Sequence, residues 1–161
     1  MESPKRTQTI LGDILEVKMN DGTKRYLQYI GFDKNTHGLN SDVVRVFKKE
    51  YKENSSLDFE EIIKDEVDFY AHVHSIANGI KEGVWTRVGN MKNDLGTHKP
   101  LFYQKTDDEY ILWEMDGKDW KSSKDDVLES SSNMGGVIPP KWVEERIQTG
   151  KYQITDPKYI K

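Results

Sequence analysis

The stretch DILEVKMNDGTKRYLQYIGF (13–32) constrains the fold more than any other part of the chain. Leu15, Val17 and Met19 alternate with Glu16 and Lys18, the two-residue period of a strand with one apolar and one polar face. Asn20-Asp21-Gly22 interrupts the pattern with residues that tolerate the positive φ of a tight hairpin turn. TKRYLQYIGF (23–32) reads as the returning strand. After a loop from Lys34 to Asn40, SDVVRVF (41–47) reads as a third. Sequence-adjacent strands with short connections predict an antiparallel meander, the opening of a strongly curved sheet or small barrel.

Between Ser55 and Lys64 the period changes: Leu57, Phe59, Ile62 and Ile63 fall at helical spacing, and Asp58 stands three before Glu61 as in a capping pair. A helix of about two to three turns is expected there. EVDFYAHVHSI (66–76) alternates again, with Val67, Phe69, Ala71 and Val73 on one face and Tyr70, His72 and His74 on the other. A glycine-punctuated bend, ANGIKEG, leads to VWTRVGN (84–90) as a further strand. LFYQ (101–104) and YILWEM (110–115) read as strands, with Asp116-Gly117 turning into KDW. Pro139-Pro140 opens a last helix whose Val143 and Ile147 stand four apart, and Gly150 sits at its C-cap position. The fold class is therefore α+β: mainly antiparallel β, with one short internal helix and one helix near the C-terminus. One domain over residues 1–161 is expected, with 1–9 as a flexible tail and SSSNMGG (130–136) as a flexible loop.

Composition narrows the chemistry. At 161 residues the chain is long enough to bury a core, and 32% charged residues with a mean hydropathy of -0.82 describe a wet surface. The absence of cysteine excludes disulfides, thiolate zinc sites and a cysteine nucleophile. No apolar run approaches membrane-spanning length, and MESPKRTQTI lacks the apolar segment of a signal peptide. The expected location is the cytoplasm, and the Asn54-Ser55-Ser56 sequon is read as a polar loop.

His72 and His74, two apart on a strand, could turn both imidazoles toward one metal ion. A third ligand would have to come from elsewhere, and no spacing selects one. The favoured reading is a pair of semi-buried histidines on the wetter face of the sheet, with no metal and no cofactor. The serines cluster in runs without a G-x-S-x-G elbow, and Gly135-Gly136 lacks the lysine and spacing of a phosphate-binding loop. No catalytic residues are assigned.

Two features favour binding. From Asp107 to Ser130, nine acids against three lysines leave a charge of -6, whereas the whole chain carries -4. That balance is the opposite of a duplex-binding stripe. The same segment contains Trp113 and Trp120, and aromatic anchors among charges are a common way to build a protein interface. The candidate binding residues are Asp107, Asp108, Glu109, Trp113, Asp116, Trp120, Asp125 and Asp126. An alternative is a small β-rich module for a peptide or nucleic acid, for which Lys24-Arg25-Tyr26 is the best cation–aromatic set.

Two blocks carry a family resemblance. GDILEVKMNDGTKRYLQYIG (12–31) resembles the first hairpin of bacterial polymorphic-toxin immunity proteins, specifically immunity protein family 26. FYAHVHSIANGIKEGVWTRVGN (69–90) resembles the family's second block, with Gly83, Trp85, Val88 and Gly89 at its Gly-x-Trp and Val-Gly positions. HKPLFYQ (98–104) and WVEERI (142–147) sit where similar segments are expected, and 116–138 matches least. The resemblance implies a cytoplasmic antidote that binds a toxin encoded beside it, with no catalytic residues and no carried-over interface. A basic, nuclease-like toxin would suit an acidic face, with no direct nucleic-acid contact and no membrane contact.

Overall fold

The computed structural model describes residues 8–34, 40–96, 99–105, 109–122 and 133–152. In chain order these form β1 (Asp13–Lys18), β2 (Thr23–Asp33), β3 (Ser41–Phe47), β4 (Tyr51–Lys52), α1 (Phe59–Ile63), β5 (Val67–Val73) and α2 (Ile76–Lys81). There follow β6 (Thr86–Asn90), β7 (Leu101–Lys105), β8 (Tyr110–Glu114), β9 (Asp119–Ser122), β10 (Asn133–Met134), β11 (Val137–Ile138) and α3 (Pro140–Thr149). The larger sheet has the order β11-β5-β3-β2-β1-β6, with β4 paired to β2; the smaller has the order β10-β7-β8-β9.

The opening meander is present. β1 pairs antiparallel with β2 across the Asp21-Gly22 turn, where Gly22 has φ 87, and β2 pairs antiparallel with β3. Of the expected strongly curved sheet or small barrel, no closed barrel forms among the described residues: the strands make two sheets, the larger ending at β6 and β11. Bulges interrupt the β1–β6, β2–β3 and β3–β5 pairings, and such insertions bend a sheet locally.

Both faces of the larger sheet are covered, so consecutive residues are buried where strict alternation is expected. Val43 to Phe47 are all buried, the pattern of a strand enclosed on two sides. Leu15, Leu27, Val46, Phe69 and Val73 pack on one side with Ile76, Val143 and Ile147, which come from α2 and α3. On the other, Ile14, Tyr26 and Phe47 meet Ile62 and Ile63 of α1, while Ile30 and Val43 meet Phe102, Trp113 and Met115 of the second sheet and its turn.

Several local readings change. α1 spans only five residues; Asp58 accepts hydrogen bonds from the backbone N–H groups of Glu60 and Glu61, but Glu61 pairs with Lys49 instead of closing a capping box. The bend at 76–81 is the helix α2, whose first turn is capped by Ser75 Oγ accepting from the Asn78 N–H at 3.1 Å. A Cβ at Gly79 would collide with the Trp85 ring, so this glycine permits close packing and does not break the helix. β5 stops at Val73, three residues before the expected end of that strand, because Ser75 starts the next element. α3 ends as expected, on Gly150 with φ 85 and its N–H donating to Arg146 O at 2.7 Å.

The expected loop at 130–136 is corrected where it is described. Residues 133–138 cross from one sheet to the other: β10 pairs parallel with β7, and β11 pairs parallel with β5. The Asn133 amide spans the junction, accepting from the Tyr70 N–H at 3.0 Å and donating to Leu101 O at 3.2 Å. Gly135 passes the Trp113 ring with no room for a Cβ. Residues 130–132, and 1–7 of the expected tail, lie outside the described residues. Gln8 does have a contact, its carbonyl accepting from Arg87 Nη1 at 3.1 Å.

Candidate partner-binding surface

The histidine pair does not converge. His74 lies past the end of β5 and is exposed, whereas His72 is 0% exposed beneath the second sheet. The face expected to be wet is covered by Phe102, whose ring centroid lies 4.0 Å from that of His72. Among the described residues, no group of three or more His, Cys, Asp or Glu side chains could hold a metal.

His72 is instead part of a buried polar junction centred on Asp33, at the end of β2. Asp33 is also 0% exposed. Its Oδ2 lies 2.7 Å from His72 Nε2 and accepts from Trp113 Nε1 at 2.9 Å; its Oδ1 accepts from the Asp116 backbone N–H at 2.8 Å. Burial by itself would raise the Asp33 pKa. The hydrogen bonds from His72, the Asp116 backbone and Trp113, with the attraction to His72, outweigh it and hold the carboxyl below its usual range. With Asp33 ionised, His72 Nε2 is the donor of that pair. One carboxylate thereby ties β2 and β5 to β8 and to the turn before β9. No periodicity or motif in GFDK marks this aspartate, because its partners are assembled only by the sheet-to-sheet contact.

The eight candidate binding residues separate. Asp107, Asp108, Asp125 and Asp126 lie outside the described residues. Trp113 is 0% exposed and serves the core, which removes it from any surface. Glu109 is exposed and 3.3 Å from Lys121 Nζ. Asp116 is exposed too, at φ 62, its N–H on Asp33 and its Oδ1 accepting from the Lys34 N–H at 2.9 Å. Trp120, on β9, is 45% exposed. The structure thus brings Glu109, Asp116 and Trp120 onto one hairpin and turns Trp113 inward to anchor it.

The other tryptophans are structural or partly so. Trp85 is buried, donating from Nε1 to Ile76 O at 3.0 Å, and Trp142 is half-buried. The Lys24-Arg25-Tyr26 set is corrected: all three are buried, at 8%, 7% and 1% exposure. Arg25 donates to Phe47 O at 2.7 Å and to Ile147 O at 3.1 Å and pairs with Asp68 at 2.9 Å. It satisfies a carbonyl in the last turn of α3, a place that favours cations.

Compared with protein-family models, with curated proteins and with solved structures, the chain finds no match. The resemblance to immunity protein family 26 therefore rests on its own residues, and these hold the fold. Gly83 has φ 75 just after α2, Trp85 plugs the gap at Gly79, and Gly89 lies against the Phe59 ring. Among the described residues, no helix is long and apolar enough to cross a membrane.

Proposed function

We propose that the protein is a cytoplasmic immunity protein that binds and neutralises a cognate bacterial toxin through a tight protein–protein interface, with no catalysis of its own. The observation that carries the reading is Trp120: a large aromatic held 45% exposed on a short hairpin whose partner strand is pinned through Trp113 to a buried carboxylate. An exposed aromatic on an anchored hairpin is the kind of side chain that makes an interface hot spot. The exposed Glu109, Glu114 and Asp116 on the same hairpin suit a basic toxin, nuclease-like in its need to hold phosphate, and would steer its approach. The resemblance to immunity protein family 26 supports the same class. The nucleic-acid module has lost its best residues, because Lys24, Arg25 and Tyr26 serve the interior.

The test is co-expression with the product of the adjacent gene. Growth rescue together with a stoichiometric complex supports the reading. A toxic neighbour that is neither neutralised nor bound would end it.

A further inference from the structure

A polar row crosses the larger sheet. Gln28 on β2 stands opposite Arg45 on β3, and Arg45 opposite Tyr70 on β5. Gln28 and Arg45 are 0% and 4% exposed, and Tyr70 is half-buried. The row divides two apolar clusters: Ile14, Tyr26 and Phe47 on one side, Ile30, Val43 and Phe102 on the other. Residues 91–96 cover it. Gln28 Nε2 donates to the Met91 and Asp94 carbonyls, each at 3.1 Å, and Arg45 Nη2 donates to Asp94 O at 3.2 Å. Gly96 comes so near that a Cβ on it would lie 2.7 Å from Arg45 Nη1.

The two buried arginines of this sheet are satisfied differently. Arg25 gives Nε, Nη1 and Nη2 to carbonyls and holds the Asp68 carboxylate at 2.9 Å. Arg45 gives Nε to Gln28 Oε1 at 2.8 Å and one Nη2 proton to Asp94 O. Both Nη1 protons and the second Nη2 proton then have no acceptor among the described residues. The one carboxylate within 4 Å among those residues is Asp94, whose Oδ1 lies 3.9 Å from Nη2 and accepts from the Gly96 N–H at 3.1 Å. Burial lowers the Arg45 pKa more than the attraction of Asp94 restores it, as befits a cation short of anionic partners. The Phe47 ring, 5.0 Å from Arg45 Cζ, backs the guanidinium. Beside it, the Tyr70 hydroxyl also has no hydrogen-bond partner among the described residues.

We propose that the Arg45–Tyr70 end of this row binds a small monocarboxylate, its two oxygens on the Nη1–Nη2 edge of Arg45 and one of them also accepting from the Tyr70 hydroxyl. A planar carboxylate matches two parallel N–H groups of a guanidinium. One negative charge suits the place better than two, because the Asp94 carboxylate is close enough to repel a dianion. A short apolar body suits it as well: Leu95 and Ile111, like Tyr70, are partly buried against the neighbouring apolar cluster. The site stands apart from the antidote reading and holds or fails without it.

The test is a titration of the full chain with sodium acetate at pH 7, against sodium chloride at equal ionic strength. NMR follows the Arg45 guanidinium and the Gly96 amide. The expected result is saturable shifts at both, with a Kd on the order of 10 mM, the scale of one charge-assisted pair. Tyr70→Phe should weaken binding by about threefold to tenfold, and Asp94→Asn should tighten it by at least about threefold. No saturation by about 0.2 M acetate, an equal response to chloride, or shifts that spare Arg45 would overturn the site. Phosphate binding more tightly than acetate would overturn the choice of a monocarboxylate. The wild-type titration depends on no variant folding, so its failure to saturate is decisive.

Discussion

Asp33 and Trp113 are 80 positions apart in sequence and meet at 2.9 Å, the indole N–H donating to a carboxylate that solvent does not reach. This contact joins the meander to the hairpin that presents Trp120. The apolar contacts around it, Ile30 and Val43 against Phe102 and Met115, are non-directional. The carboxylate fixes the geometry, because hydrogen bonds to a charged group are strong and angular.

Asp33→Ala should therefore be among the most damaging single changes. It leaves the Trp113 and Asp116 N–H groups and the His72 ring buried without their acceptor, at a cost of about 3–5 kcal/mol. Urea unfolding followed by circular dichroism measures it. A loss near that of an ordinary surface substitution, under about 0.5 kcal/mol, would mean that the junction is incidental.

Acid should act on the same group. Its folded-state pKa is depressed, so as pH falls the unfolded chain takes up the proton first. The stability Asp33 contributes is complete above about pH 4, the ordinary aspartate range, and drains away as pH drops toward the folded value. Asp33→Asn cannot titrate, and its amide offers donors to a site made of donors. The gap in urea midpoint between wild type and Asp33→Asn should be wide near neutrality and narrow below about pH 4. A gap that stays constant into that acid range contradicts this assignment.

The two tryptophans of the hairpin should behave oppositely. Trp113→Ala empties a wholly buried site and should cost about 3–5 kcal/mol of stability. Trp120→Ala, at an exposed edge, should cost about 1 kcal/mol or less and weaken partner binding by at least about tenfold. Thermal melts and a titration with the partner separate the effects; equal stability losses would show that Trp120 supports the core as Trp113 does.

Gly79→Ala gives a prediction whose sign runs against helix propensity. Alanine is the better helix former by about 1 kcal/mol, but its Cβ would enter the Trp85 ring. Overpacking should win and destabilise the protein by about 1–3 kcal/mol. A stabilised variant would show that Trp85 can move aside freely.

Arg25→Met keeps the length of the side chain and removes the donors to Phe47 O and Ile147 O. The C-terminal turn of α3 should exchange its amides faster than the rest of the helix, and overall stability should fall by about 2–3 kcal/mol. Exchange rates unchanged in that turn would assign its order to apolar contacts alone.

The sequence by itself determined the local elements. Alternation in DILEVKM, the Asp21-Gly22 turn and the proline-to-glycine frame of α3 each depend on neighbours within a few residues, so their physics is written in the chain. It also marked Glu109, Asp116 and Trp120 as surface candidates through composition. Only the tertiary structure decided which way each tryptophan points, that His72 lies under a second sheet, and that Asp33 joins the two sheets. Residues 133–138 show why. Asn-Met-Gly-Gly-Val-Ile, broken by two glycines, forms strands only because β7 and β5 already offer unpaired edges. Burial, unlike local conformation, is set by what arrives from elsewhere in the chain, and no period in the sequence records that arrival.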